Sequence, residues 1–165
     1  MAIDRQDTDA LKTACMTGAS GFIGQHLAAS LRESRHLTCI PHRELASARL
    51  DDPAEFYFLS SYGNMFDQRD RDEILKANLA DLLHVLRQLP AEGSCEAFVY
   101  LSSSSVGLSC QTIYSRAKRA AEEVLLALLE NERFPAIIIR PFSVTGVGEQ
   151  PAHLIPTPVS YTHLT

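Results

Sequence analysis

The stretch Thr17-Gly18-Ala19-Ser20-Gly21-Phe22-Ile23-Gly24 constrains this chain more than any other. It comes after the apolar run Thr13-Ala14-Cys15-Met16, which reads as a buried strand. It leads into Phe22, Ile23, Leu27 and Leu31, which recur with helical period. A strand, a glycine turn and a helix start make an anion-binding unit. The first turn of a helix carries unpaired N–H groups and the positive end of the helix dipole, and a diphosphate answers both. Gly18 is expected to make the tight turn, Gly21 to let a pyrophosphate approach the backbone, and Gly24 to let the helix pack on the strand. The spacing Gly-x-x-Gly-x-x-Gly is not the commonest dinucleotide fingerprint, so its meaning depends on the rest of the chain.

Beyond the turn, strands and helices alternate. Apolar runs at 11–16, 37–40, 56–59, 97–101 and 136–139 read as strands, and helical periodicity marks 22–33, 73–89 and 114–129. Ala48-Arg49-Leu50 reads as a stunted third strand, Asp51-Asp52-Pro53 as a turn, and 65–72 as a loop. A length of 165 residues with 45% hydrophobic and 21% charged residues suits one globular domain. The alternation predicts an α/β Rossmann-type doubly wound parallel sheet over residues 1–150. Residues 151–165 contain Pro151, Pro156 and Pro158 and no periodicity. They are expected to be an irregular tail. Pro158 to Thr165 reads as a foreign end on a truncated fragment.

The same numbers exclude several classes. With a net charge of −5 and no long basic run, nucleic acid is not the main partner. The longest apolar runs are too short to cross a bilayer, and the acidic lead-in is unlike a signal peptide. A cytoplasmic location is expected. Cys15, Cys39 and Cys95 lie in or beside predicted strands and read as buried free thiols, and Cys110 completes no Cys-x-x-Cys pair. No metal site is expected among the cysteines and histidines.

Two places carry chemistry besides the glycine turn. His42 and Arg43 come after the second strand, where the adenosine ribose of a bound dinucleotide lies. Arg43 would accommodate the 2′-phosphate of NADP. The neighbouring Glu44 would instead suit the 2′-hydroxyl of NAD, so NADP is expected and NAD is the alternative. Ser60, just after the strand at 56–59, is small enough to let a cofactor lie against the strand end. Further on, Tyr114 and Lys118 are four apart on a helix and share a face. A serine cluster, Ser102 to Ser105, ends the strand before them. In an open parallel sheet, ligands bind beyond the carboxyl ends of the strands, so the three residue types converge there. A free phenol titrates near pH ~10, and a neighbouring ammonium lowers that value. Tyr114 would then exchange a proton with a substrate hydroxyl or carbonyl while hydride moves to or from a nicotinamide. Lys118 would also hydrogen-bond the nicotinamide ribose, and a serine would hold the reacting oxygen.

Taken in order, Thr17 to Gly24, Asn78 within Lys76-Ala77-Asn78-Leu79, Phe98 to Val106, Tyr114 to Lys118, and Arg140 to Gly146 resemble an extended short-chain dehydrogenase/reductase. The group resembled is that of the NAD(P)-dependent epimerases and dehydratases, which act mostly on nucleotide sugars. The resemblance implies that Tyr114 is the catalytic acid/base, Lys118 its partner, and Ser103 the catalytic serine, with Ser104 as the fallback. It implies cofactor contacts at Ser20, Phe22 and Ile23 beside the three glycines, and at Pro141, Ser143 and Val144 on the nicotinamide side. Tyr62-Gly63-Asn64 would lie near the nicotinamide or the sugar. The implied reaction is 4-keto reduction or epimerisation of a nucleotide sugar. Arg43 tilts towards the reductase, and Ser104 and Ser105 stand where a dehydratase has acidic residues. The alternatives are a cofactor-binding sensor or scaffold without turnover, or an inactive fragment. The chain departs from the family pattern in a compressed third strand, in Val106-Gly107, and in a short link from Ser103 to Tyr114. It also lacks the C-terminal part that carries the sugar-nucleotide pocket. The leucine-rich helices at 73–89 and 114–129, with Leu125, Leu126, Leu128 and Leu129 around the second, resemble those through which relatives form homodimers.

Overall fold

Short apolar segments joined by helical crossovers pair side by side in one direction. A computed structural model describes residues 11–65, 67–89, 95–132 and 135–149. The tail expected at 151–165 lies outside the described residues. The strands are β1 (Thr13–Thr17), β2 (His36–Ile40), β3 (Glu55–Phe58), β4 (Ala97–Leu101) and β5 (Ala136–Ile139). They form one parallel sheet in the order β2-β1-β3-β4-β5. The helices are α1 (Phe22–Leu31), α2 (Arg71–Leu75), α3 (Asp81–Leu86) and α4 (Ile113–Glu132). The chain leaves β1 towards β2 on one side and returns to β3 on the other, which opens a crevice at the carboxyl ends of β1 and β3. The expected Rossmann-type α/β class is the class observed.

One predicted element is absent. Ala48 to Leu50 forms no strand. After a short 3₁₀ turn at His42–Glu44, the chain crosses directly from β2 to β3. The interval is too short for both a strand and its crossover. Its apolar residues plug the core instead: Leu45 is buried, and Ala48 and Leu50 pack against the central cluster. Two boundaries also move. The loop expected at 65–72 ends early, because Asp70 caps α2 by accepting hydrogen bonds from the N–H groups of Asp72 (2.9 Å) and Glu73 (3.1 Å). The helix expected at 73–89 is interrupted by a π-helical turn at Lys76–Ala80.

The two sheet faces differ. On one, Phe56 stacks on Phe98 at 5.4 Å and Phe58 sits 6.0 Å from Tyr100, each pair being register neighbours on β3 and β4. Leu82 and Val85 of α3 and Ala121 and Leu125 of α4 belong to the same buried cluster. On the other face, the row Met16–Tyr57–Val99–Ile137 runs across four strands. Exposure rises along it from 0% at Met16 to 50% at Ile137.

Candidate active site

A cleft of about 840 Å³ opens where the strands end. Its floor is the glycine turn. Gly18 has φ 75°, and a Cβ there would meet the Leu59 backbone at 2.6 Å. A Cβ on Gly24 would lie 2.0 Å from the Gly18 carbonyl oxygen, so α1 is seated directly on the turn. The start of α1 has no side-chain cap and no acidic residue in its first turn. Its positive end therefore faces the cleft, which Gly18, Gly21, Phe22, Ile23 and Gly24 all line.

Three residues expected to contact a cofactor do not line the cleft. Ser20 is exposed and outside the lining. Ser60 is buried beneath it: its N–H donates to Thr17 Oγ1 (3.3 Å) and its Oγ has no partner, while Leu59 and Ser61 line the cleft in its place. Arg43 points into solvent from the 3₁₀ turn, and its Nε donates to Glu44 Oε1 at 3.2 Å. That turn follows β2 directly. Nearby, Asp81 accepts from Lys76 Nζ at 3.0 Å and faces His42 Nδ1 at 3.2 Å.

The π-helical turn shapes the cleft wall. Within it, Asn78 is fully buried. Its Nδ2 donates to the carbonyls of Tyr62 (2.6 Å) and Ile74 (2.8 Å), and its Oδ1 accepts from Ser61 Oγ (3.1 Å). Asn78 thus clamps the 61–64 loop, where Gly63 adopts φ 103° and donates to Gln68 Oε1 at 2.8 Å. Gly63 and Asn64 line the cleft and Tyr62 does not.

The opposite wall is the serine strand end. Ser103, Ser104 and Ser105 line it, and Ser103 Oγ caps the next turn by accepting from Ser105 N–H (3.2 Å). The Ser104 N–H donates to the Pro141 carbonyl (3.0 Å), which holds Pro141, Ser143 and Val144 along the rim. The short link to α4 is fastened where Gln111 Nε2 and Arg119 Nη2 both donate to the Val106 carbonyl, each at 2.8 Å.

Tyr114 and Lys118 both reach the cleft from α4. Lys118 is almost wholly buried: its Nζ donates to the Leu101 carbonyl at 2.8 Å and lies 4.8 Å from the Tyr100 ring centroid. Burial pulls its ammonium down from the ordinary lysine range to about 7, against the opposing pull of Glu122. Glu122 was not singled out by the sequence motifs, although it continues the Tyr114–Lys118 spacing by one more turn. It accepts from Ser102 Oγ and from Arg140 Nε (2.8 Å) and Nη2. Burial alone would raise its carboxyl, but the hydrogen bonds from Arg140 and Ser102 outweigh it and hold the group below its usual range.

All four cysteines are free, with Cys15 and Cys95 buried, Cys39 half-buried and Cys110 exposed. Among the described residues, no group of three or more His, Cys, Asp or Glu could hold a metal ion, and no helix is long and apolar enough to cross a membrane.

Comparison with known proteins gives this geometry a family. GDP-6-deoxy-D-mannose reductase from Pseudomonas aeruginosa is 27% identical over 172 residues, covering 85% of this chain and 55% of that protein. The structure of RMD from Pseudomonas aeruginosa complexed with NADPH superposes with a TM-score of 0.68 at 24% identity, covering 87% of this chain and 59% of that one. UDP-glucuronic acid 4-epimerase from Bacillus cereus in complex with NAD superposes with a TM-score of 0.75 at 18% identity, covering 91% and 62%. The chain therefore spans somewhat more than half the length of these relatives. The profile of the NAD dependent epimerase/dehydratase family matches residues 66–163, more than half of the sequence, and the chain belongs to that family.

Proposed function

We propose that this chain carries the cofactor-binding and proton-transfer half of an NAD(P)-dependent oxidoreductase or isomerase acting at a sugar carbon of a nucleotide sugar. The observation that carries this reading is convergence: Tyr114, Lys118 and the serine strand end face the same cleft as the uncapped start of α1. The residues present fit a nicotinamide dinucleotide. A cradle too tight for any Cβ at Gly18 or Gly24 lets a diphosphate lie against the backbone N–H groups of α1. Phe22 and Ile23 flank that cradle, and Pro141, Ser143 and Val144 bound the far end of the cleft, where a nicotinamide would lie. A nicotinamide, when bound, supplies or accepts hydride. Tyr114 gives a proton to, or takes one from, the sugar oxygen that changes oxidation state. Lys118 reaches the same cleft from the next turn of α4. Ser103 turns its hydroxyl from Ser105 to the same oxygen and fixes it.

Among the family's reactions, 4-keto reduction with NADPH fits best. The support is the similarity to a GDP-6-deoxy-D-mannose reductase and to a fold solved with NADPH. Arg43, exposed at the end of β2, reaches a 2′-phosphate by giving up its bond to Glu44. NAD is the alternative. Leu75, Leu126 and Leu129 are exposed on the two leucine-rich helices and support a homodimer packed through them. A cytoplasmic location accords with this reading.

The test is Tyr114→Phe, followed as hydride exchange between NADPH and a 4-keto nucleotide sugar. Turnover is expected to fall by about 10²–10⁴-fold, with NADPH affinity unchanged. Undiminished turnover would overturn the role of Tyr114. Tight cofactor binding without turnover in the unmutated protein would leave a binding module.

A further inference from the structure

We propose that Glu122 is a positioning residue: held by Arg140 and Ser102 behind the cleft, it supplies a negative charge that favours the ammonium form of Lys118 and sets α4 against the ends of β4 and β5. The proposal rests on the reading of Tyr114 and Lys118 as the proton-transfer pair.

Tyr114, Lys118 and Glu122 lie at successive turns of one face of α4. Each of the two buried members addresses a strand end. Lys118 donates to the Leu101 carbonyl at the end of β4. Glu122 accepts from Ser102, the residue immediately before Ser103, and from Arg140, the residue immediately before Pro141. One carboxylate therefore ties together the serine wall, the Pro141 rim and the helix bearing Tyr114. Glu122 is 2% exposed and does not line the cleft, so it acts through its neighbours.

The charge follows from the same geometry. Lys118 is 1% exposed, with a carbonyl and an aromatic face as its near contacts. An ammonium so placed sheds its proton unless a nearby anion compensates. The titratable and charged groups around this pair are Tyr100 from β4, Arg140 from the end of β5, and Tyr114, Arg119 and Glu123 from α4. Of all the charges, the one that raises Lys118 is Glu122. Arg140 competes for that carboxylate while keeping it ionised.

Loss of the carboxylate, or of the cation that keeps it ionised, should therefore move Lys118 in the same direction. The chain contains three lysines, Lys12, Lys76 and Lys118, so lysine labelled with ¹³C at Cε gives an assignable NMR titration. Glu122→Gln is expected to lower the Lys118 midpoint by about one pH unit or more. Arg140→Met is expected to lower it too, because the buried Glu122 carboxyl then loses the cation that holds it ionised. A midpoint that Glu122→Gln leaves unmoved, or raises, overturns the proposal. Where a variant fails to fold, Glu122→Asp or Arg140→Lys replaces it, with the same signs and smaller shifts. The titration is read without turnover, so its failure and the failure of the Tyr114 reading are separate results.

Discussion

Gly24 leaves no room for a side chain. The atom that its Cβ would strike, 2.0 Å away, is the carbonyl oxygen of Gly18, and backbone cannot rotate aside as a side chain can. Gly24→Ala is expected to cost about 1–3 kcal/mol in chemical denaturation and to weaken nicotinamide cofactor binding in a fluorescence titration, because α1 must lift off the turn. On the far side of the sheet, Glu55 accepts a bidentate pair from Arg35 (2.9 and 3.0 Å) and a hydrogen bond from the Tyr57 hydroxyl (2.8 Å). The Arg35 hydrogen bond is the main force holding the Glu55 carboxyl below its usual range. A depressed carboxyl contributes stability above the ordinary carboxylate range, and that stability is lost as pH falls through the lowered native value. Glu55→Gln should therefore flatten the acid limb of a plot of urea midpoint against pH. It should also bring the Tyr57 phenol part of the way down from about 12, where burial first and Glu55 second have pushed it. Ultraviolet titration checks that shift.

At the scale of elements, the π-helical turn is where structure and site meet. Asn78 sits within the π turn at Lys76–Ala80, and its Nδ2 donates to the Ile74 and Tyr62 carbonyls. Asn78→Ala removes the Nδ2 donor from both carbonyls and is expected to cost about 2–3 kcal/mol. Asn78→Asp should cost more, since a carboxylate cannot donate to either. Thermal melting ranks the two, and hydrogen exchange across 61–64 should quicken in both. The helix around Asn78 was readable from Ile74, Leu79, Leu82 and Leu86, but its π turn was not. Periodicity reports which residues are apolar, whereas a π turn is a change of hydrogen-bond partner. Likewise α2 starts before its first apolar residue because the Asp70 cap sets its start.

For the molecule as a whole, the uneven covering of the sheet has a consequence in solution. Ile137 and Ile139 stand half-exposed on β5, with Phe142 and Val147 largely exposed beyond them. Among the described residues, no strand pairs with the outer edge of β5. An apolar face beside an open edge favours association. The chain is expected to bind a hydrophobic dye and to scatter light increasingly with concentration. Ile137→Thr with Ile139→Thr should reduce both signals and leave the unfolding free energy within about 1 kcal/mol, because exposed positions contribute little to the core and threonine suits a strand.

The glycine turn, the Tyr114–Lys118 pair and the alternation that makes a parallel sheet were all determined by the sequence alone. Each depends on spacing within one element, which backbone geometry converts directly into a shared face or a turn. The tertiary structure decided what depends on how distant segments meet. It left Arg43 exposed on the turn after β2, and it buried Ser60 against Thr17 so that Leu59 and Ser61 line the cleft in its place. It turned the apolar residues from Leu45 to Leu50 into a plug. It joined Glu122 to Arg140, because parallel packing brings one face of α4 over the end of β5, and no spacing along the chain encodes that meeting.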